Sequence, residues 1–218
     1  MKPKHIWTQF TAILLSMVTI SCSDQIKPNL NSYTYMQNTV DSLETAILGG
    51  GCFWCVEAIM TQIKGVHKVV PGYAGGSLSN PTYKEVCSGK TGHAEVVKVV
   101  FDPNQICYKD LLEIFMTTHD PTTLNRQGAD VGTQYRSVIF FLNPTQEKQA
   151  KEVIQSLTNQ SVFENPIVTE LSPYDVFYEA EPYHHDYYNQ NPEQGYCAAV
   201  ISPKLQKLRA KHADKLKN

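Results

Sequence analysis

The stretch LETAILGGGCFWCVEAIMTQIKG, Leu43 to Gly65, carries the transition that sets the fold. Leu43–Leu48 is a short apolar run ended by Gly49-Gly50-Gly51, which predicts a strand meeting a tight turn. From Cys52 onward, Phe53, Val56, Ile59, Met60 and Ile63 recur at helical spacing, and Gly65 stops the pattern. A strand therefore hands over to a helix, with Cys52 at the helix N-terminus.

Downstream, Val66–Val70 is strand-like, broken by Pro71-Gly72 and Gly75-Gly76. Glu95–Phe101 is β-branched and apolar, a strand closed by Asp102-Pro103. Tyr108–Thr118 carries Leu111, Leu112, Ile114 and Phe115 and predicts a helix. Ser137–Leu142 reads as a strand. Asn143-Pro144 then opens a helix through Leu157, since Asn caps well and Pro suits the first helical position. A late strand is expected at Ile167–Leu171, helix and loop over Asp175–Tyr188, and a polar loop over Asn189–Cys197. Mixed elements with no long run of either kind predict an α+β fold: one domain, a mixed sheet, helices mainly on one face.

Upstream, Lys2 and Lys4 precede an apolar stretch, Phe10–Ile20, too short to span a bilayer and followed by Ser21-Cys22. This predicts a secretory signal over residues 1–22. A cysteine directly after the apolar stretch resembles a bacterial lipoprotein signal, so Cys22 is expected to carry a lipid. The protein would then be exported and anchored in the bacterial cell envelope; a secreted soluble form is the alternative. Residues 23–43 are polar and read as a flexible linker. Residues 204–218 read as a basic amphipathic tail, a surface helix.

The 218 residues are 42% hydrophobic and 10% aromatic, enough for a real core. The formal charge of −2, with no basic stripe in the middle of the chain, excludes nucleic acid as the main partner. Six cysteines, of which five remain without Cys22, do not form a disulfide scaffold; the odd count flags a free, reactive thiol.

A helix N-terminus presents unpaired N–H groups and partial positive charge, both of which favour a thiolate at Cys52. The glycines before it allow close backbone approach to a ligand. Cys55 falls on the same helical face. Three readings of the pair stand open: a dithiol exchanger, part of a zinc site, or one nucleophile with a spare thiol. Against the first, Phe53-Trp54 is bulky and apolar where exchangers carry small residues or Pro. Against the second, His93-Ala94-Glu95 has the H-x-E of zinc deaminases, but the cysteines precede it instead of following.

The segments GYAGGSLSNPTYKEVCSGKTGHAEVVKVVFDP, HDPTTLNRQGADVGTQYRSVIF and NPEQGYCAAVISPK, with the Gly-Cys-Phe-Trp signature, closely resemble the A-type peptide methionine sulfoxide reductases. The resemblance covers residues 44–203 and implies a ferredoxin-like two-layer sandwich. It implies reduction of methionine S-sulfoxide, free or in oxidised proteins, as protein repair. By the resemblance Cys52 attacks the sulfoxide sulfur, and Phe53 and Trp54 wall the methyl pocket. Glu95 is the acid on the sulfoxide oxygen, Tyr83 and Tyr135 hydrogen-bond that oxygen, and Asp130 is an acidic pocket residue. Cys52 is left as a sulfenic acid. Cys197, in a glycine-rich flexible loop, resolves it to a disulfide that a thioredoxin-like donor reduces. No further cysteine follows to relay that disulfide outward. Cys55 is an alternative resolver, disfavoured because a bond within a regular helical turn strains disulfide geometry.

Neither a cofactor nor a metal is expected, and a monomer is. Taken singly, Tyr83 and Tyr135 read as core aromatics, Glu95 as a solvated strand residue and Asp130 as a turn residue. His93, His184 and His185 are expected to support structure, as are Cys87 and Cys107.

Overall fold

The computed structural model describes residues 43–217; the expected signal, Cys22 and nearly all of the expected linker lie outside them. β1 (Glu44–Gly50) forms as the apolar run predicts and lies inside the sheet. It pairs antiparallel with β3 (Ala94–Phe101) and with β6 (Ser137–Phe141). β2 (Val66–Ala74) extends the sheet beyond β3, and the short β8 (Phe177–Glu179) forms the edge beside β2. On the other side, β7 (Glu170–Pro173) runs parallel to β6, the one parallel pair of the sheet. The order is β7-β6-β1-β3-β2-β8, a mixed sheet as expected. A two-stranded ribbon, β4 (Arg126–Gln127) and β5 (Asp130–Val131), stands apart.

The pleat sorts the side chains. Ala46 and Leu48 of β1 and Val97, Val99 and Phe101 of β3 face the main core. That core is completed by α1 (Phe53–Met60), α3 (Tyr108–Thr118) and α4 (Pro144–Asn159). Ile47, Ala94, Val96, Val138 and Phe140 point the other way and are covered, among the described residues, by Tyr174 and Phe177. This is the one-sided α+β arrangement the patterning predicts. The short α2 (Tyr83–Cys87) starts with a capping box from Thr82 and Glu85. Asn143 caps α4 by accepting from the Gln146 N–H at 2.9 Å, with Pro144 in the first turn.

Three expectations need correction. Pro71-Gly72 does not end β2. The Pro71 carbonyl accepts the Ala180 N–H at 2.9 Å, so a residue without a donor still serves the ladder. Gly72 lies under Phe177 and the Tyr178 carbonyl, where a Cβ would come within 2.4 Å; the strand continues because the edge strand crosses tightly there. Second, the late strand falls at Glu170–Pro173, where pairing with β6 is available, and Phe177–Glu179 is a strand that three residues of sequence do not signal.

Third, the C-terminal segment is no surface appendage. After α5 (Tyr187–Gln190), a π-helical turn, Cys197–Ile201, runs into α6 (Ser202–His212). Ile201, Leu205 and Leu208 are buried in the main core. Past the helix, Lys64 N–H donates to the Lys215 carbonyl at 2.8 Å and Lys217 N–H to that of Gln62 at 2.9 Å. The basic residues of α6 thus surround an apolar seam that ties the C-terminal segment to the end of α1.

Candidate active site

The site is built where β1 turns into α1. Gly51 has a φ of +89°, and a Cβ there would lie 2.5 Å from Gln127 Cγ. A Cβ on Gly49 would meet the Glu95 carbonyl at 2.8 Å, and one on Gly50 the Phe115 ring at 2.9 Å. The three glycines therefore let β1 and the turn after it pack closely against their neighbours. They deliver Cys52 to the N-cap of α1, with extended backbone (φ −56°, ψ 128°) and a side chain that makes no capping bond.

The first helical N–H, that of Phe53, donates to Glu95 Oε2 at 3.0 Å. Glu95 is 1% exposed, so it is a buried carboxyl and not a solvated strand residue. Burial pushes it up to about 8, opposed by the Phe53 N–H and assisted by the Asp130 and Cys55 charges. At neutral pH it holds a proton beside the thiol.

Burial pushes the Cys52 thiol well above the usual range, and Cys55 and the Glu95 carboxylate add to the effect, opposed by the Tyr196 hydroxyl. The expected acidification by the helix terminus is offset because the leading N–H serves Glu95 and the site is closed, with Cys52 7% exposed. A hydrogen bond from Cys52 instead acidifies its neighbour Cys55, down to about 7 against the opposing effect of burial, with the Lys204 charge assisting.

The aromatic residues form one cluster. Phe53 is 1% exposed, its ring 6.4 Å from Tyr83, 5.8 Å from Tyr73 and 4.9 Å from His184. Trp54 is half-buried and stacks on Tyr187, ring centres 3.7 Å apart and 5° from parallel. Its Nε1–H donates to His184 Nδ1 at 3.2 Å. Tyr83 is placed by Glu181, which accepts its backbone N–H at 2.9 Å and the Tyr73 hydroxyl at 2.9 Å. Burial pushes the Tyr83 phenol up, with the Cys87 thiol and the Glu95 charge adding. Burial and Glu95 do the same to Tyr135, which closes a 3₁₀ turn after β5. Both stay protonated and can donate.

Asp130 reaches the site through Tyr196, whose hydroxyl donates to Asp130 Oδ2 at 2.7 Å. The same hydroxyl lies 3.7 Å from Cys55 Sγ. Cys197 follows directly. It is fully buried as the first residue of the π-helical turn, not held in a flexible loop as expected, and burial raises its thiol.

The structure therefore brings Cys52, Phe53, Trp54, Tyr83, Glu95, Asp130 and Tyr135 to one place, with Cys197 behind Tyr196. Sequence reasoning missed Tyr196, Tyr187 and Glu181. Only the position of Tyr196 next to Cys197 hints at a role. It also missed Glu57, a buried acid on α1 whose Oε1 accepts the Asp186 N–H at 2.9 Å and so seats the segment carrying Tyr187. The histidines hold structure. His93 accepts the Gly76 N–H and contacts the Leu78 carbonyl, leaving neither ring nitrogen for a metal. Cys87 lies one helical turn after Tyr83 on α2 and is exposed.

The model of the peptide methionine sulfoxide reductase family matches residues 44–217. A peptide methionine sulfoxide reductase MsrA of Deinococcus radiodurans is 60% identical over 174 residues, covering 80% of this chain and 84% of that protein. One of Acinetobacter baumannii is 55% identical over 176 residues, covering 81% of this chain and all of that protein. Among solved structures, methionine sulfoxide reductase A of Corynebacterium diphtheriae superposes with a TM-score of 0.66 at 38% identity, over 70% of this chain and 76% of that one. Mxr1 of Saccharomyces cerevisiae, in reduced form, gives 0.66 at 34% identity, over 72% and 92%. The match takes in the glycine turn, the buried carboxyl and the C-terminal helix together, and the chain belongs to the peptide methionine sulfoxide reductase family.

Proposed function

We propose that this enzyme, an oxidoreductase acting on methionine sulfoxide, takes the S epimer and turns over through Cys52. The observation that carries the reading is the Glu95 carboxyl, buried at the α1 N-terminus on the Phe53 N–H next to Cys52, where burial favours its protonated form. The sulfoxide has a polar S=O and an apolar methyl on one sulfur. Phe53 and Trp54 offer the methyl an apolar wall. Tyr83 and Tyr135 donate hydrogen bonds to the oxygen, and Glu95 gives it a proton. Cys52 attacks the sulfur as thiolate, which is easiest while Glu95 is neutral and exerts no repulsion. The oxygen passes to Cys52, methionine leaves, and a sulfenic acid remains. Cys197 is the thiol that finally resolves it. A dithiol donor of the thioredoxin kind reduces the resulting disulfide, since only thiol exchange returns the enzyme to its starting state without a cofactor. Substrates are oxidised proteins and free methionine sulfoxide, the enzyme acts as a monomer, and export with a lipid on Cys22 places it in the cell envelope.

The test supplies racemic methionine sulfoxide and dithiothreitol to the purified chain and follows each epimer by chiral chromatography. Loss of the S epimer alone, abolished in Cys52→Ser, is the expected result. In Cys197→Ser, activity with dithiothreitol persists while turnover with a thioredoxin is lost. Consumption of both epimers, or of neither, overturns the reading.

A further inference from the structure

Two facts stand against direct resolution of Cys52 by Cys197. Cys197 has no exposed surface and opens a π-helical turn whose Ile201 is locked in the core, with its carbonyl taken by the Ser202 hydroxyl at 3.2 Å. Tyr196, tied to Asp130 at 2.7 Å, lies between this turn and the α1 N-terminus. Bringing the Cys197 sulfur to Cys52 requires that turn to unwind.

Cys55 is placed differently. Cys52 is the N-cap and has left the helical path, with ψ at 128°. Cys55, three residues on, sits in the first turn, and its N–H donates to the Cys52 carbonyl at 3.0 Å. A disulfide is strained between two residues inside one regular helical turn, and Cys52 lies outside it. An N-cap and its third neighbour form the arrangement in which a Cys-x-x-Cys pair exchanges. On its other side Cys55 Sγ lies 3.7 Å from the hydroxyl of Tyr196, the residue directly before Cys197. Cys55 thus adjoins Cys52 through the first helical turn and the Cys197 segment through Tyr196.

We propose that Cys55 relays the oxidation: it resolves the Cys52 sulfenic acid first and passes the bond to Cys197. This rests on the proposed roles of Cys52 and Cys197. In the first step the Cys55 sulfur attacks the Cys52 sulfur. The S–O bond breaks, the hydroxyl leaves with a proton as water, and a Cys52–Cys55 disulfide forms. In the second, the Cys197 thiolate attacks the Cys55 sulfur, forming Cys55–Cys197 and releasing Cys52 as thiolate. No outside oxidant enters. Cys52 is ready for a second substrate before any reductant arrives, and the donor meets the disulfide on α6's side of the site, away from the methyl pocket.

The test is a reaction of the reduced full-length chain with excess methionine sulfoxide and no reductant. Released methionine is counted, sulfenic acid is trapped with dimedone, and disulfides are mapped by mass spectrometry. The wild type releases about two methionines per chain and holds Cys55–Cys197. Cys197→Ser releases about one and holds Cys52–Cys55 with no dimedone adduct. Cys55→Ser also releases about one, which shows its pocket is formed. Its Cys52 is trapped by dimedone, and Cys52–Cys197 forms at least tenfold more slowly than the wild-type disulfide. If Cys55→Ser closes Cys52–Cys197 at the wild-type rate, the relay is overturned while the reductase reading stands. If Cys52→Ser still releases methionine, the reading beneath it falls instead.

Discussion

Replacing Glu95 with Gln separates the chemistry of the site from its stability. In the folded chain the carboxyl titrates at about 8, against 4.5 for a free glutamate. Between those values the unfolded chain has lost the proton and the folded chain keeps it. Stability therefore falls as pH rises, by about 1.4 kcal/mol per unit. The full gap corresponds to about 5 kcal/mol, undiminished below about pH 4.5 and lost once pH passes about 8. Glu95→Gln removes this dependence. Its carbonyl can still accept the Phe53 N–H, while its new NH₂ group is a buried donor that costs about 1–3 kcal/mol at every pH. The measurement is urea unfolding of both proteins at pH 5, 6.5 and 8. The variant is expected to start below the wild type at pH 5 and to overtake it by pH 8, the difference moving by about 3–4 kcal/mol. Glu57, raised by its own burial to about 7, titrates in both proteins and cancels. Methionine release in a single turnover should drop by about 10²–10⁴. A stability difference that does not change between pH 5 and 8 would refute the buried, proton-holding carboxyl and the acid role with it.

Other perturbations report on the parts that hold the site. Leu208→Ala should destabilise by about 2–5 kcal/mol, seen in the urea midpoint, because that side chain has no exposed surface; a surface helix would lose under 0.5 kcal/mol. Gly51→Ala places a Cβ against Gln127 at a positive φ and should lower the melting temperature and the rate of methionine release together. Trp54→Phe leaves His184, whose Nε2 already has no partner, with neither ring nitrogen bonded. The expected loss is about 1–3 kcal/mol, with KM rising more than kcat falls.

The sequence made the strand-to-turn-to-helix passage around Cys52 legible because glycines, apolar spacing and the stop at Gly65 agree. The α4 start was equally plain from Asn143-Pro144. What stayed hidden depends on distant partners. Pro71-Gly72 has the composition of a break and becomes strand only because β8 crosses it. Leu205 and Leu208 are masked by Lys204, Lys207 and Arg209, and only their contact with the core reveals the seam. The fold gathers Tyr83, Glu95 and Asp130 around the start of α1, a convergence that spacing along the chain does not show. Tyr196 and Glu181 escaped because a tyrosine or an acid in a polar stretch looks the same whether it faces water or a buried partner, and Glu57 because a lone acid in an apolar helical run reads as its solvent face.

The Trp54–His184 hydrogen bond has a consequence for a chain made one residue at a time. Its two ends are 130 residues apart, which at about 5–20 residues per second is about 6–26 s of synthesis. Through that interval Cys52 and Cys55 exist without the wall formed by His184 and Tyr187, and without Tyr196 and the helix that seals them. They are then ordinary thiols on an unfinished polypeptide, open to any oxidant or stray cysteine. Nascent chains halted before α6 should therefore mispair readily and reduce nothing, and the enzyme's redox selectivity begins only at chain completion.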